Sequence, residues 1–393
     1  MDNLLLLTLF VVAIGGGFLL GRKSLDKKPD DASRLAGTYI KGFNFLLNEQ
    51  PDQAIDAFVS SLEVNSHTLE THLALGKLLR RKGEVDRAIR VHQNLLARPS
   101  LPIVDQHQAQ LELAEDYVAA GLLDRAERLL QELMEVSSEL KVPCLQHLVR
   151  IYSDEREWEK AIHAATLLSS RKIGRGEYDL SVEQAHFCCE LAEEALAKGD
   201  YLSARRHLQQ ALDFDKRSVR ASLVWGNLEK KLGRHKEALR ILKRISNQDA
   251  SYLPEALDSV CECHMALGDS KGLVKYLEKT LQDFPSNTLV LKMAELLGQE
   301  KGDEAVARFM GESMKSRPSL KGVLKLVDLH IGHSSGEAKA NLSLLRSLLS
   351  DLLSSRPTYR CQCCGFSGNE LHWLCPSCKS WGSVKALSGV EGI

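Results

Sequence analysis

Ten cysteines are spread unevenly along the 393 residues, and five of them fall between Cys361 and Cys378. Cys361-Gln362-Cys363-Cys364 and Cys375-Pro376-Ser377-Cys378 each contain a C-x2-C pair, and ten residues separate Cys364 from Cys375. A C-x2-C turn brings two thiolates to one point, so two such knuckles supply a tetrahedral set for one metal ion. Gly365 follows the first pair and permits the tight turn that aims backbone N–H groups at sulfur, while Pro376 stiffens the second. The x2 spacing selects Cys361, Cys364, Cys375 and Cys378 as ligands and leaves Cys363 as a bystander. Both zinc and iron accept four thiolates, and a structural role favours zinc. About 36 residues follow Pro357, too few for an independent core, so the metal has to supply folding energy. Phe366, Trp373 and Trp381 are the residues expected to form the module's small apolar core.

The other cysteines and histidines do not group in this way. Cys188-Cys189 are adjacent and Cys261-x-Cys263 are two apart, so on a helix neither pair converges on one point. Cys261 and His264 share a helix face, but two ligands do not make a site. These cysteines read as buried packing residues. No nucleophile–base arrangement or glycine-rich phosphate loop stands out in the sequence. Lys plus Arg total 51 against 52 for Asp plus Glu, which argues against a dominant, undirected nucleic-acid binder. The segment from 358 to 393 is equally ill-suited to phosphate, with Arg360, Lys379 and Lys385 against Glu370 and Glu391.

A long repetitive element carries this module. Ala54, Ala88, Ala126, Ala161, Ala204, Ala238, Gly272 and Ala305 are separated by 34, 38, 35, 43, 34, 34 and 33 residues, and Ala338 lies another 33 on. Gly83, Gly121, Gly199 and Gly233 each precede one of these positions by five, where the chain must end one helix and open the next. A second small residue, Gly42, Gly76, Ala114, Ala192 or Gly226, stands twelve before, and Phe45, Leu79, Tyr117 and Tyr152 occupy the aromatic or aliphatic position three further on. The pattern resembles the tetratricopeptide repeat, a 34-residue helix–turn–helix unit. Pro99 and Pro102 account for one long interval, and the polar loop Ser169–Gly176 for the other. About nine helical pairs between Leu35 and Leu353 are expected, stacked so that each buries its neighbour's apolar face. In such a superhelix the first helices line a broad inner surface suited to proteins or peptides. Lys77 and Arg80 fall on inward-facing positions and are candidate partner contacts.

The amino-terminal end is of a different kind. Asn3 to Gly21 is a stretch of 19 uncharged residues, preceded by Asp2 and followed by Arg22, Lys23, Lys27 and Lys28. A cleaved signal peptide carries its positive charge before the apolar run, so this order reads as a retained anchor. The positive-inside rule then places the rest of the chain in the cytoplasm. The expected organisation is an anchor over 1–21, a basic juxtamembrane linker over 22–34, the repeat array over 35–355 and the metal module over 356–393. The fold class is all-α, a superhelical repeat solenoid with a transmembrane helix at one end and a metal ribbon at the other.

The whole chain resembles the lipopolysaccharide assembly protein B family of Gram-negative bacteria. The resemblance is carried by Asn44-Phe45-Leu46-Leu47, Gly83 to Arg90, Ala119-Ala120-Gly121-Leu122 with Asp124-Arg125-Ala126-Glu127, Ala185-His186-Phe187, Tyr359 to Phe366 and Cys375 to Cys378. It implies a single-pass inner-membrane protein with a periplasmic amino terminus, a cytoplasmic tetratricopeptide array and a rubredoxin-like module holding metal at Cys361, Cys364, Cys375 and Cys378. Cys363 departs from the family pattern, in which a non-ligand residue is usual. The resemblance also implies a non-enzymatic adaptor. Its partners would be a membrane AAA+ protease, a client deacetylase that commits carbon to lipid A, and an inner-membrane sensor that antagonises it. Two other classes remain as alternatives: a rubredoxin-like electron carrier using iron, and a nucleic-acid adaptor using the ribbon.

Overall fold

The computed structural model describes residues 69–97, 101–169 and 179–387, with residues 44, 45 and 53. The expected anchor (1–21), the basic linker (22–34) and the repeat position Ala54 lie outside these residues. Among the described residues, no helix is long and apolar enough to cross a membrane.

Helices follow one another in pairs. In chain order they are α1 (Leu69–Arg81) and α2 (Val85–Leu96), α3 (Ile103–Ala119) and α4 (Leu123–Val136), and α5 (Lys141–Asp154) and α6 (Trp158–Ser169). Next come α7 (Ser181–Ala197) and α8 (Tyr201–Phe214), then α9 (Val219–Lys231) and α10 (His235–Leu242). A short α11 (Ile245–Gln248) and a 3-10 turn (Ala250–Tyr252) intervene before α12 (Leu253–Ala266) and α13 (Ser270–Asp283). The series closes with α14 (Asn287–Lys301) and α15 (Asp303–Ser316), then α16 (Leu320–His333) and α17 (Gly336–Ser354). The described residues thus hold eight pairs in chain order. Two compact units divide the chain between Ile151 and Tyr152.

The small repeat positions are small because there is no room for more. Ala88, Ala126, Ala161, Ala204 and Ala238 are fully buried. A Cβ on Gly76 would lie 2.3 Å from the His92 ring, and one on Gly226 would lie 2.4 Å from the Leu242 side chain. Ala338, by contrast, is exposed, in keeping with the irregularity of the last pair.

The turn inside each pair requires a left-handed residue. Gly83, Gly121, Gly199 and Gly233 have φ between 73° and 82°. Arg156 takes the same role before α6 at φ 60°, a conformation that costs a side-chain-bearing residue about 1 kcal/mol or more. Aspartate and serine side chains then cap several helices: Asp200 accepts from the Ser203 N–H and Asp269 from the Gly272 N–H, both at 3.0 Å.

In the first unit, a polar network ties the first helices together. Arg80 of α1 donates to Asp116 at 2.6 Å and to Glu112 at 3.0 Å, and it also reaches Glu115. His92 of α2 meets the other Asp116 oxygen at 2.5 Å, and both of those side chains are fully buried. Burial opposes the charge on Arg80, but its bonds to Asp116 and Glu112 outweigh that and hold its pKa above the ordinary value. Breaking one partner of such a set strands a buried charge.

The second unit ends in a small sheet. Strands β1 (Tyr359–Cys361), β2 (Ser367–Gly368) and β3 (Val384–Ala386) are antiparallel in the order β2-β1-β3, with Cys361 opposite Val384.

Two substitutions test the repeat geometry. Arg156→Gly should raise stability by about 0.5–1 kcal/mol in thermal or urea unfolding, because glycine adopts the turn without strain. Gly76→Ala should lower it by about 2 kcal/mol, since His92 is pinned by Asp116 and cannot retreat. A neutral Gly76→Ala would contradict the close approach of α1 and α2.

Candidate metal centre and its seat on the helical array

The first knuckle lies in the loop joining β1 to β2. The Cys361 N–H donates to the Phe366 carbonyl at 2.7 Å and the Gly365 N–H to the Cys361 carbonyl at 3.1 Å, which closes the turn around Gly365 at φ 78°. The second knuckle is closed by the Lys379 N–H donating to the Cys375 carbonyl and the Cys375 N–H donating to the Ser380 carbonyl, both at 3.0 Å. Lys379 stands where the first knuckle has Gly365 and also takes a positive φ, 57°.

These turns bring four sulfurs together. Cys361, Cys364, Cys375 and Cys378 place their Sγ atoms within 4.8 Å of one another. Two of the separations, Cys361 to Cys378 and Cys364 to Cys375, are 3.7 Å. A tetrahedron with metal–sulfur bonds of about 2.3 Å has edges near 3.8 Å, so the set fits a single tetrahedral ion. Among the described residues it is the one group of three or more ligand-bearing side chains drawn together in this way. Cys363 lies outside it with an exposed side chain, while its N–H donates to Cys361 Sγ at 3.4 Å.

The surroundings favour thiolate at two of these four sulfurs. The Ser383 hydroxyl, 3.3 Å from Cys361 Sγ, and then the Cys364 N–H bring the Cys361 thiol down to about 5. The Ser380 hydroxyl lowers Cys378. Burial pushes Cys375 up to about 11, so this sulfur relies most on a cation to become a thiolate. A divalent ion would be held by all four and would link the two knuckles into one folded unit.

The core of the ribbon is smaller than the aromatic count implies. Cys361, Cys375 and Val384 are its buried residues, with Tyr359, Phe366 and Leu371 against them. Phe366 is where the sequence places it, but Trp373 and Trp381 are not part of that core. Both indoles face the helices of the second unit. A three-stranded ribbon cannot enclose two indoles, and the array supplies the missing walls.

Trp381 stacks on His186 of α7, with ring centroids 4.9 Å apart and planes 19° from parallel. Its edges meet Trp158 at the start of α6 and Phe187 of α7. Trp373 stacks on Tyr252 at 5.3 Å. Between the two indoles lies the Arg220 guanidinium of α9, 6.0 Å from one ring and 5.9 Å from the other. Arg220 is 3% exposed, and its charge is matched by Glu190 at 2.8 Å and Glu193 at 3.0 Å.

Polar bonds fix the register of this seat. The Tyr252 hydroxyl lies 3.0 Å from the Val384 carbonyl and 3.2 Å from that of Gly382, and the Tyr359 hydroxyl donates to Glu255 at 2.6 Å. Lys385 pairs with Asp249 at 2.7 Å. Although burial opposes it, Lys385 and Ser251 hold the Asp249 carboxyl below its usual range. Burial, and then the nearby Arg220, push His186 down to about 3, so the imidazole beneath Trp381 is neutral.

The remaining candidates are placed differently. Cys188, Cys189 and Cys263 are buried, and burial pushes the first two thiols up to about 12. Arg80 is enclosed by its three carboxylates, and half-exposed Lys77 pairs with Glu112 at 2.8 Å.

A helix–turn–helix array with a four-cysteine ribbon seated on it defines a tetratricopeptide-repeat protein with a rubredoxin-type metal module. Family models agree: residues 359–386 match a rubredoxin metal binding domain, and residues 71–101 and 195–258 match tetratricopeptide repeats. The chain is 36% identical over 391 residues to lipopolysaccharide assembly protein B of Escherichia coli (strain K12), covering 99% of each chain. It is 32% identical over 397 residues to the protein of the same name from Haemophilus influenzae, covering 98% of this chain and 99% of that one. The chain therefore belongs to the lipopolysaccharide assembly protein B family. Among solved structures, a tetratricopeptide repeat protein from Parabacteroides merdae is similar at 16% identity over 67% of this chain, with a TM-score of 0.34.

Two measurements check the site. Cys361→Ser or Cys378→Ser should release the metal and unfold the ribbon, whereas Cys363→Ser should retain one ion per chain; equal metal loss from all three would contradict the ligand set. The second concerns pH. His186 has a folded pKa far below the ~6.5 of an unfolded chain, so the stability it contributes is complete above that value and falls away as pH drops toward 3. Between pH 7.5 and 5.5, His186→Phe should therefore lose about 1 kcal/mol less stability than the native protein. Identical pH profiles would mean that His186 is not buried neutral under the ribbon.

Proposed function

We propose that this chain is a membrane-tethered, non-enzymatic adaptor in the control of lipopolysaccharide synthesis. In this reading it presents the deacetylase that commits carbon to lipid A to a membrane AAA+ protease, and an inner-membrane sensor protein antagonises it. The observation that carries the reading is the match along the whole length to proteins named for lipopolysaccharide assembly.

The physical organisation supports the same role. A stack of helical pairs offers extended protein-binding surface, and the chain needs no bond-making step to bring a client to a protease. The apolar stretch from Asn3 to Gly21, with its basic flank, tethers the array at the bilayer on the cytoplasmic side. Confinement to the membrane raises the effective concentration of a second membrane protein without any new contact. The ribbon occupies a face formed by α6, α7, α9 and α12, which leaves other parts of the array for clients. Lys77 and Arg80 remain candidate contacts in the first unit, with Lys77 the more accessible of the two. The metal, zinc or iron, serves as a structural clasp for the ribbon.

The test is the lifetime of the deacetylase in cells carrying the full chain or a chain lacking residues 1–21. The soluble array should still co-purify with the client, while the deacetylase lifetime rises to that of cells without the adaptor. Normal turnover with the shortened chain would contradict the tethering role.

A further inference from the structure

Charge is nearly balanced over the whole chain, but not on every face of it. On α10, Lys236, Arg240 and Arg244 stand four residues apart, and the backbone stays helical past the end of the helix through Lys243 and Arg244. On α13, Lys271, Lys275 and Lys279 repeat the same spacing. Residues four apart share a helix face, so each helix carries a row of three cations about 12 Å long. All six side chains are exposed, while Leu239, Leu242, Leu273 and Leu277 turn the opposite sides of these helices into the core. The two rows are neighbours: Lys243 Nζ lies 4.8 Å from the centre of the Tyr276 ring, and Tyr276 packs against the cluster that holds Leu239 and Leu242.

Helix stability gives no reason for either row. Like charges four residues apart repel, and Lys236 and Lys271, each second in its helix, also oppose the helix dipole. Nearby acids do little to neutralise the rows. Glu237 pairs with Arg240 at 3.0 Å, Asp269 caps α13 and meets His264 at 3.1 Å, and Glu278 and Asp283 are the other acids of these helices. Lys236, Arg244, Lys271, Lys275 and Lys279 form no ion pair among the described residues.

We propose that this outer face of α10 and α13 docks on anionic phospholipid headgroups and lays the second unit against the bilayer; this rests on the tether proposed for residues 3–21 and adds an orientation to it. The chemistry favours lipid over other polyanions. Four of the six cations are lysines, compact charges on flexible stems that follow a fluid sheet of phosphates without a fixed register. Tyr276 is partly buried beneath Lys243 rather than offered to nucleic-acid bases for stacking. Each cation near a negative membrane surface adds a small attraction, and a tether makes the sum effective by raising the local concentration. Arg22, Lys23, Lys27 and Lys28, which follow the apolar stretch, have the same affinity for those headgroups. Docked in this way, α10 and α13 face lipid, while α9 and α12, the first helices of the same pairs, turn toward the cytoplasm where a client arrives.

The experiment reconstitutes the full chain into vesicles of phosphatidylcholine alone or of phosphatidylcholine mixed with phosphatidylglycerol. Exposed amines are then acylated, and labelling is read residue by residue by mass spectrometry. In the anionic vesicles Lys236, Lys271, Lys275 and Lys279 should label several-fold more slowly than in the neutral ones, and high salt should restore their labelling. Exposed Lys301, Lys315 and Lys339, on α14, α15 and α17, should label alike in both lipids. Changing Lys271→Gln, Lys275→Gln and Lys279→Gln together should remove the protection of Lys236 and leave the helical circular dichroism unchanged. Equal labelling in the two lipids, or protection that extends equally to the three control lysines, would overturn the inference. So would stronger protection by polyglutamate or by single-stranded RNA at the same salt, which would assign the face to an acidic protein or a nucleic acid. A failed tether reads differently: the chain would separate from neutral vesicles on flotation, yet the rows would still hold it on anionic ones at low salt.

Discussion

Two tryptophans on a ribbon too small to bury them are the constraint on which this structure turns. Trp373 and Trp381 together present several hundred Å² of apolar surface, more than three short strands can cover. They are covered by Trp158, His186, Phe187 and Tyr252 of the helical array. The metal frames the ribbon, the ribbon orients the indoles, and the indoles bind the ribbon to α6, α7, α9 and α12. Arg220 sits within this arrangement, its charge matched by Glu190 and Glu193 and its guanidinium about 6 Å from both rings. The consequence is a coupling between metal occupancy and one face of the second unit. A tetrathiolate site in a free tail would have no such reach.

The array is adapted to carry this load. The chain between α10 and α12 departs from a plain repeat, inserting α11 and a 3-10 turn. That insertion delivers Asp249 and Tyr252 to the ribbon, where they meet Lys385 and the Val384 carbonyl. The first unit spends Arg80 and His92 on Asp116 to tie successive pairs together. Similar helix–turn–helix units thus serve as internal ties in one half and as a seat in the other.

Much of this was legible in the sequence because it rests on local rules. The alternation of Ala88, Ala126, Ala161, Ala204 and Ala238 at repeat spacing follows from helix contact distances, and the two C-x2-C knuckles follow from the geometry of a tight turn. Arg156 was hidden because an arginine stands where the other turns have glycine, and only the backbone reveals that it takes the same conformation. The destination of Trp373 and Trp381 is hidden for a different reason: the sequence identifies apolar surface but not the surface that covers it. His186 stands out only as part of the segment Ala185-His186-Phe187 that carries the family resemblance, which does not say what it meets, and Arg220, Tyr252 and Glu255 give no signal at all. The mismatch between two indoles and so short a module was the one available hint.

Hydrogen exchange before and after metal removal tests the coupling most directly. With metal bound, the ribbon and the amino-terminal halves of α7, α9 and α12 should be protected together. After chelation, protection should fall in the ribbon and in those three helix halves, while α14 to α17 and the whole first unit exchange as before. A ribbon that unfolds on chelation while α7, α9 and α12 keep their full protection would contradict the account.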